Sequence, residues 1–122
     1  MLVKYKSDYK KIAMGLLPFI PGLKDVNRLE AEISWYQDDD SRVLYLWRNE
    51  NGDFSGIVGV EVSDEIVVIR QIALSPSERS QIAYNQVLDE VAHQYPDCKM
   101  MGSLDVASII AKWEHQNESK HE

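Results

Sequence analysis

Residues 70–91 read RQIALSPSERSQIAYNQVLDEV, Arg70 to Val91. An apolar run ends at Leu74, a short polar stretch containing Pro76 follows, and apolar residues then return at helical spacing: Tyr84, Val87, Leu88, Val91, Ala92 and Tyr95. This is the pattern of a strand, a tight turn and a helix. Such a junction aims the free N–H groups of a first helical turn, with the positive end of the helix dipole, at whatever lies beyond it, and phosphate is the usual occupant. Loops of this kind normally carry glycine, and none occurs between Arg70 and Val91. The same residues therefore fit a working phosphate cradle, a degenerate one, or a plain piece of core.

The residues on either side place this unit in a larger order. Upstream, RVLYLWRNENGDFSGIVGVEV predicts strands over Val43–Trp47 and Phe54–Val62, with Asn51-Gly52 between them as a hairpin turn that tolerates positive φ. EIVVIRQIALS follows as a third strand of an antiparallel meander. Earlier still, Met1–Tyr5 reads as a short strand. Ser7 or Asp8 is a helix cap before Tyr9, Ile12, Ala13, Leu16 and Leu17, and Pro18, Pro21 and Gly22 end that helix. Val26, Leu29, Ile33 and Tyr36 give one face of a second helix, closed by DDDS (Asp38–Ser41). Downstream of Pro96, CKMMGS is a short strand, and Val106, Ile109, Ile110 and Trp113 form the face of a last helix. Residues 114–122 read as its frayed end and a polar tail. The expected order is β-α-α-β-β-β-α-β-α, an α+β fold with a mixed sheet flanked by helices. At 122 residues the chain suits one domain over 1–122.

Composition limits the function. A net charge of −7 without a basic run disfavours nucleic acid and anionic membrane surfaces. Any anionic ligand would be held by local backbone donors against an unfavourable overall field. Cys98 is the only cysteine, so no internal disulfide and no cysteine-based metal site is available. His93, His115 and His121 have no metal-ligand spacing on one helix face, and no metal is expected. No apolar run approaches the ~20 residues of a membrane helix, and no signal core follows the N-terminal charges. A cytoplasmic protein is expected.

The order, with IRQIALSPSERSQIAYNQVLDEV at its centre, resembles the GNAT N-acetyltransferase superfamily, and IALSPSER resembles that family's strand end and loop entry. The opening MLVKYKSDYKKIAMGLL and YLWR resemble a narrower group, the small RibT acetyltransferase-like proteins of bacterial riboflavin operons. The resemblance implies acetyl-CoA or CoA as cosubstrate. It implies that backbone groups of Ile72, Ala73 and Leu74 meet the pantetheine arm, and that N–H groups of Arg79, Ser80, Gln81, Ile82, Ala83 and Tyr84 hold the pyrophosphate. The acceptor would be an amine, on a small molecule or a protein. Riboflavin biosynthesis is a context that the resemblance alone supplies.

Two departures from the family pattern stand out. Its two small loop positions are Ile82 and Tyr84 here; Tyr84 falls on the buried stripe, whereas Ile82 does not. The last helix, LDVASIIAKWEHQ, lacks the tyrosine that often protonates the departing thiolate, with Ala111 near that position. Glu61 is the candidate base, ahead of Glu65 at a turn. The chain also stops where family members usually continue with two strands, which leaves an open acceptor site or one closed by a second subunit in a homodimer. Trp35, Tyr36, Tyr45 and Trp47 read as core or as an acceptor-pocket lining, and Cys98 as a small buried hydrophobe. An acyl transferase and a non-catalytic binding or regulatory module with a degenerate CoA site are both consistent with these residues.

Overall fold

A computed structural model describes residues 1–120. Its strands are β1 (Leu2–Lys4), β2 (Arg42–Arg48), β3 (Phe54–Val62), β4 (Ile66–Leu74) and β5 (Lys99–Gly102). Its helices are α1 (Lys10–Leu16), α2 (Val26–Gln37), α3 (Gln81–Gln94) and α4 (Ala107–Lys120). The sheet order is β1-β2-β3-β4-β5. Every pair is antiparallel except β4 with β5, which is parallel and bridged by α3. This is the expected α+β order.

The strands carry apolar side chains on both faces, as a sheet covered on both sides requires. On one face Tyr45, Trp47, Val58, Val60, Val67, Ile69, Ile72 and Leu74 pack against Val87, Leu88 and Val91 of α3 and Ile110 and Trp113 of α4. On the other, Leu44, Leu46, Ile57 and Ala73 pack against α1 and α2 through Ala13, Leu16, Leu29, Ile33 and Tyr36. The strict alternation Leu44, Tyr45, Leu46, Trp47 divides β2 between the two cores. Tyr36, Tyr45 and Trp47 are thus core.

Three local expectations change. Neither Ser7 nor Asp8 caps α1: Ser7–Tyr9 form a 3-10 turn without a side-chain cap, and the helix starts at Lys10. The capped helix of that layer is α2, where the Asp25 side chain accepts from the Asn27 N–H at 2.7 Å. At the hairpin tip only Gly52 has positive φ, at 86°. Asn51 stays in the ordinary region because the Asn49 side chain accepts from the N–H groups of both Asn51 and Asp53, which widens the turn. Helix α4 takes in most of the stretch expected to fray, and residues 121 and 122, His121 among them, lie outside the described residues. No helix among the described residues is long and apolar enough to cross a membrane.

Candidate active site

The sheet opens at one place. Strand β5 pairs with β4 only from Ile66 to Ile69 and ends at Gly102, while β4 runs on to Leu74 with no strand among the described residues on that edge, which leaves a gap beside its second half. The same point is irregular on β4's other edge. Gly59 stands opposite Gln71 and Val60 opposite Ile69, so Arg70 is an extra residue, a bulge that bends β4 away. The apex of the gap is clasped by Ser103, whose N–H donates to the Ile69 carbonyl at 3.0 Å and whose Oγ donates to the Arg70 carbonyl at 2.8 Å.

Alternation along β4 decides which backbone groups face the gap. The Ser75 N–H donates to Ser55 on β3, so Ala73 and Gln71 also turn their backbone groups toward β3. Ile72 and Leu74 turn theirs into the gap. Of the three β4 residues expected to meet a pantetheine arm, Ile72 and Leu74 have that geometry. Ala73 does not, and its side chain lies in the α1/α2 core. The Leu74 carbonyl already accepts from Arg79 Nη2 at 3.4 Å.

The loop from β4 to α3 contains a 3-10 turn, Pro76–Glu78, and no residue with positive φ, so its lack of glycine strains nothing. Ser80 caps α3: its Oγ accepts from the Ala83 N–H at 3.1 Å, and its carbonyl accepts from the Tyr84 N–H at 3.0 Å. Those two donors are therefore engaged, while Gln81 and Ile82 hold the first N–H groups of the helix. The Ile82 side chain is 71% exposed at this helix end, and Tyr84 packs against the core, as its place on the stripe predicts. Beside the loop, Glu78 accepts from Asn49 Nδ2 at 2.6 Å, which sets a carboxylate near the helix N-terminus.

Glu61 is held at the bulge and not past it. It stands opposite Val68, in the paired half of the sheet, and its carboxylate lies 3.4 Å from Arg70 Nη1. Cys98 precedes β5 at the closed end, its Sγ 3.6 Å from the Ser63 carbonyl, away from any thioester in the gap. On the far wall, α4 is tied to α3 by Trp113 Nε1, which donates to Asp89 at 2.9 Å, and by Asn85, which donates to Gln116. Ala111 is exposed.

The α2 side of the gap holds a polar group of which the sequence singled out Tyr36 as core or pocket lining but neither Glu32 nor Gln71. Gln71, the first β4 residue past the bulge, donates through Nε2 to Glu32 Oε1 at 2.6 Å and to the Tyr36 hydroxyl at 2.9 Å. Glu32 and Tyr36 share one face of α2 because they are four residues apart. That spacing was a usable signal; the bulge that brings Gln71 to them leaves none. Burial, with Glu32 and Glu61 nearby, pushes the Tyr36 hydroxyl well above the ordinary tyrosine range, against the Gln71 hydrogen bond. Trp35 lies under two guanidinium groups, Arg42 at 4.2 Å and Arg70 at 4.8 Å. A groove of about 890 Å³ lies between Met1, the β2–β3 hairpin and α3, and reaches Glu78 and Ala83 at the cradle. It carries Glu50, Glu78, Asp89 and Glu90 against Arg48 and the Met1 amine, a net acidic lining that opposes a phosphate ligand.

No family model matches the chain. An uncharacterized N-acetyltransferase in the lysA 3′ region of Bacillus methanolicus is 36% identical over 115 residues, covering 93% of this chain and 95% of that protein. Among solved structures, AAC(6′)-Iy in complex with the bisubstrate analog CoA-S-monomethyl-acetylneamine superposes with a TM-score of 0.69 at 16% identity, over 96% of this chain and 87% of that one. A chimera of the spermidine N-acetyltransferase SpeG from Vibrio cholerae and hSSAT gives 0.62 at 11% identity, over 94% and 79%. At those identities the structures establish the fold.

Proposed function

The chain belongs to the GNAT N-acetyltransferase superfamily, and from that premise we propose that it transfers an acetyl group from acetyl-CoA to an amine. The observation that carries the reading is the unpaired edge of β4 past the Arg70 bulge, which leads directly to the N-terminus of α3. A pantetheine arm fits along the edge of Ile72 and Leu74. Its pyrophosphate then meets the N–H groups of Gln81 and Ile82 and the Arg79 side chain, once Arg79 leaves the Leu74 carbonyl. The amine would approach from the α2 side and attack the thioester directly. Catalysis would come from positioning and from a backbone donor, the Ile72 N–H, facing the developing oxyanion.

Calorimetric titration with acetyl-CoA and CoA tests the donor, and release of free thiol in the presence of primary amines tests the transfer. Binding in the micromolar range with amine-dependent thiol release is the expected result; no binding at millimolar ligand sinks the proposal. The RibT resemblance adds a finer proposal, that flavin precursors bearing a free amine are the acceptors to try first, in the cytoplasm. A non-catalytic module is the second reading. The exposed Ile82 at the cradle and the absence of a tyrosine from α4 favour it, and CoA binding without thiol release against any amine would decide for it.

A further inference from the structure

Among residues 1–117, no lysine, arginine or histidine lies within ion-pair distance of Glu32, although its carboxylate is half-buried beside the gap. The neighbouring carboxylates differ: Glu61 is paired with Arg70 and Glu30 with Lys10. Glu32 Oε1 is fixed at 2.6 Å by Gln71 Nε2, and Gln71 is itself anchored by the Tyr36 hydroxyl at 2.9 Å. Oε2 takes no hydrogen bond among the described residues. Gly59 makes this possible, since a side chain there would run into the Tyr36 ring and hydroxyl. The result is a carboxylate aimed by one oxygen and left open at the other, next to the first β4 residue past the bulge. A half-buried carboxylate without a cation calls for one, and the cation available in acyl transfer is the acceptor's ammonium group.

We propose that Glu32 is the catalytic base of this site, with Gln71 as its positioning residue. The inference rests on the acyl-transfer reading above. Glu32 seats the acceptor ammonium and removes one of its protons. The freed lone pair attacks the thioester carbonyl carbon, the C–N bond forms, and collapse breaks the C–S bond. The nitrogen sheds a second proton as the amide forms. One of the two protons leaves through Glu32 to solvent, and the other ends on the thiolate of CoA.

Two nucleophiles separate this role from a structural one. 1,4-Diaminobutane is protonated at neutral pH and needs a base, whereas hydroxylamine is largely unprotonated and does not. With acetyl-CoA as donor, Glu32→Gln is expected to lose roughly 100-fold or more of the transfer to 1,4-diaminobutane, the usual scale for a general base. It should keep transfer to hydroxylamine within a few-fold and bind acetyl-CoA as the wild type does. Raising the pH should narrow the deficit, because free amine then forms without the enzyme. Equal loss with both nucleophiles, no loss, or the selective loss appearing in Glu61→Gln instead overturns the role of Glu32. So does a wild type that binds acetyl-CoA and acetylates hydroxylamine but not 1,4-diaminobutane at any pH. Failure of the wild type to bind acetyl-CoA at all is a different outcome, which removes the acyl-transfer reading and this inference with it. Acetyl-CoA binding and the hydroxylamine rate also report whether the variant is folded.

Discussion

Tyr36 shows how one side chain links the core to the site. Its ring packs edge-on against Trp35, with centroids 5.0 Å apart, and its hydroxyl lies over Gly59 and receives Gln71 Nε2. Gly59→Ala would press a methyl group into that ring. A loss of about 1–3 kcal/mol is expected, the range for overpacking a filled core, read as an earlier urea midpoint with unchanged slope. The hydroxyl also makes stability depend on alkaline pH. Unfolded tyrosine loses its proton near pH about 10, whereas burial keeps Tyr36 protonated to higher pH in the folded chain. Above that point the unfolded state binds fewer protons than the native state. Stability is therefore complete below about pH 10 and falls as pH rises further. Tyr36→Phe is expected to cost about 1 kcal/mol at neutral pH through the lost hydrogen bond and to flatten the alkaline decline. Melting temperatures of both proteins followed from neutral to alkaline pH would show this.

At the scale of elements, the junction of β4 and α3 answers whether its lack of glycine matters. The loop needs no left-handed residue, so its backbone can form without glycine. What differs is the side chain standing at the helix end, Ile82. Ile82→Gly is expected to tighten CoA binding in calorimetry while lowering helix stability by at most ~1 kcal/mol. Tyr84→Gly is expected to destabilise without gain, because that ring packs against the core. Ser80→Ala removes the α3 cap and is expected to cost ~1 kcal/mol in chemical denaturation. If it frees the Ala83 N–H for phosphate, CoA affinity should survive that loss. The strand, the turn and the helix stripe were legible here because each has its own period and stop signal. The engagement of the Ala83 and Tyr84 donors was not, since it depends on where one hydroxyl and one carbonyl turn.

Across the whole molecule, the net charge of −7 and the net acidic groove between the β2–β3 hairpin and α3 set a field that opposes an anionic donor. Local backbone donors must do the holding, and salt screens the opposing field over a Debye length of about 10 Å at 0.1 M. CoA affinity is therefore expected to hold steady or rise as sodium chloride is increased from about 50 to 300 mM, and isothermal titration at several salt concentrations would detect it. A steep fall would mean that a cluster of cationic side chains carries the binding. The same scale separates Glu61 from Glu32. Along the chain Glu61 belongs to a central strand and looks close to the chemistry. In the sheet it faces the paired half and meets Arg70, while Glu32, from a helix far away in sequence, arrives beside the gap.

The sequence by itself determined the order of elements, a mixed sheet flanked by helices, and the strand–turn–helix unit that points to the family. These follow from periodicity and from proline and glycine stop signals, which act over a few neighbours. Tertiary structure alone decided where β4 and β5 part, which of Ile72, Ala73 and Leu74 face the opening, and which carboxylate stands there without a cation. A bulge is defined by two strands in register, and a site by side chains from distant elements. Neither exists until the sheet is paired and α2 is laid across it.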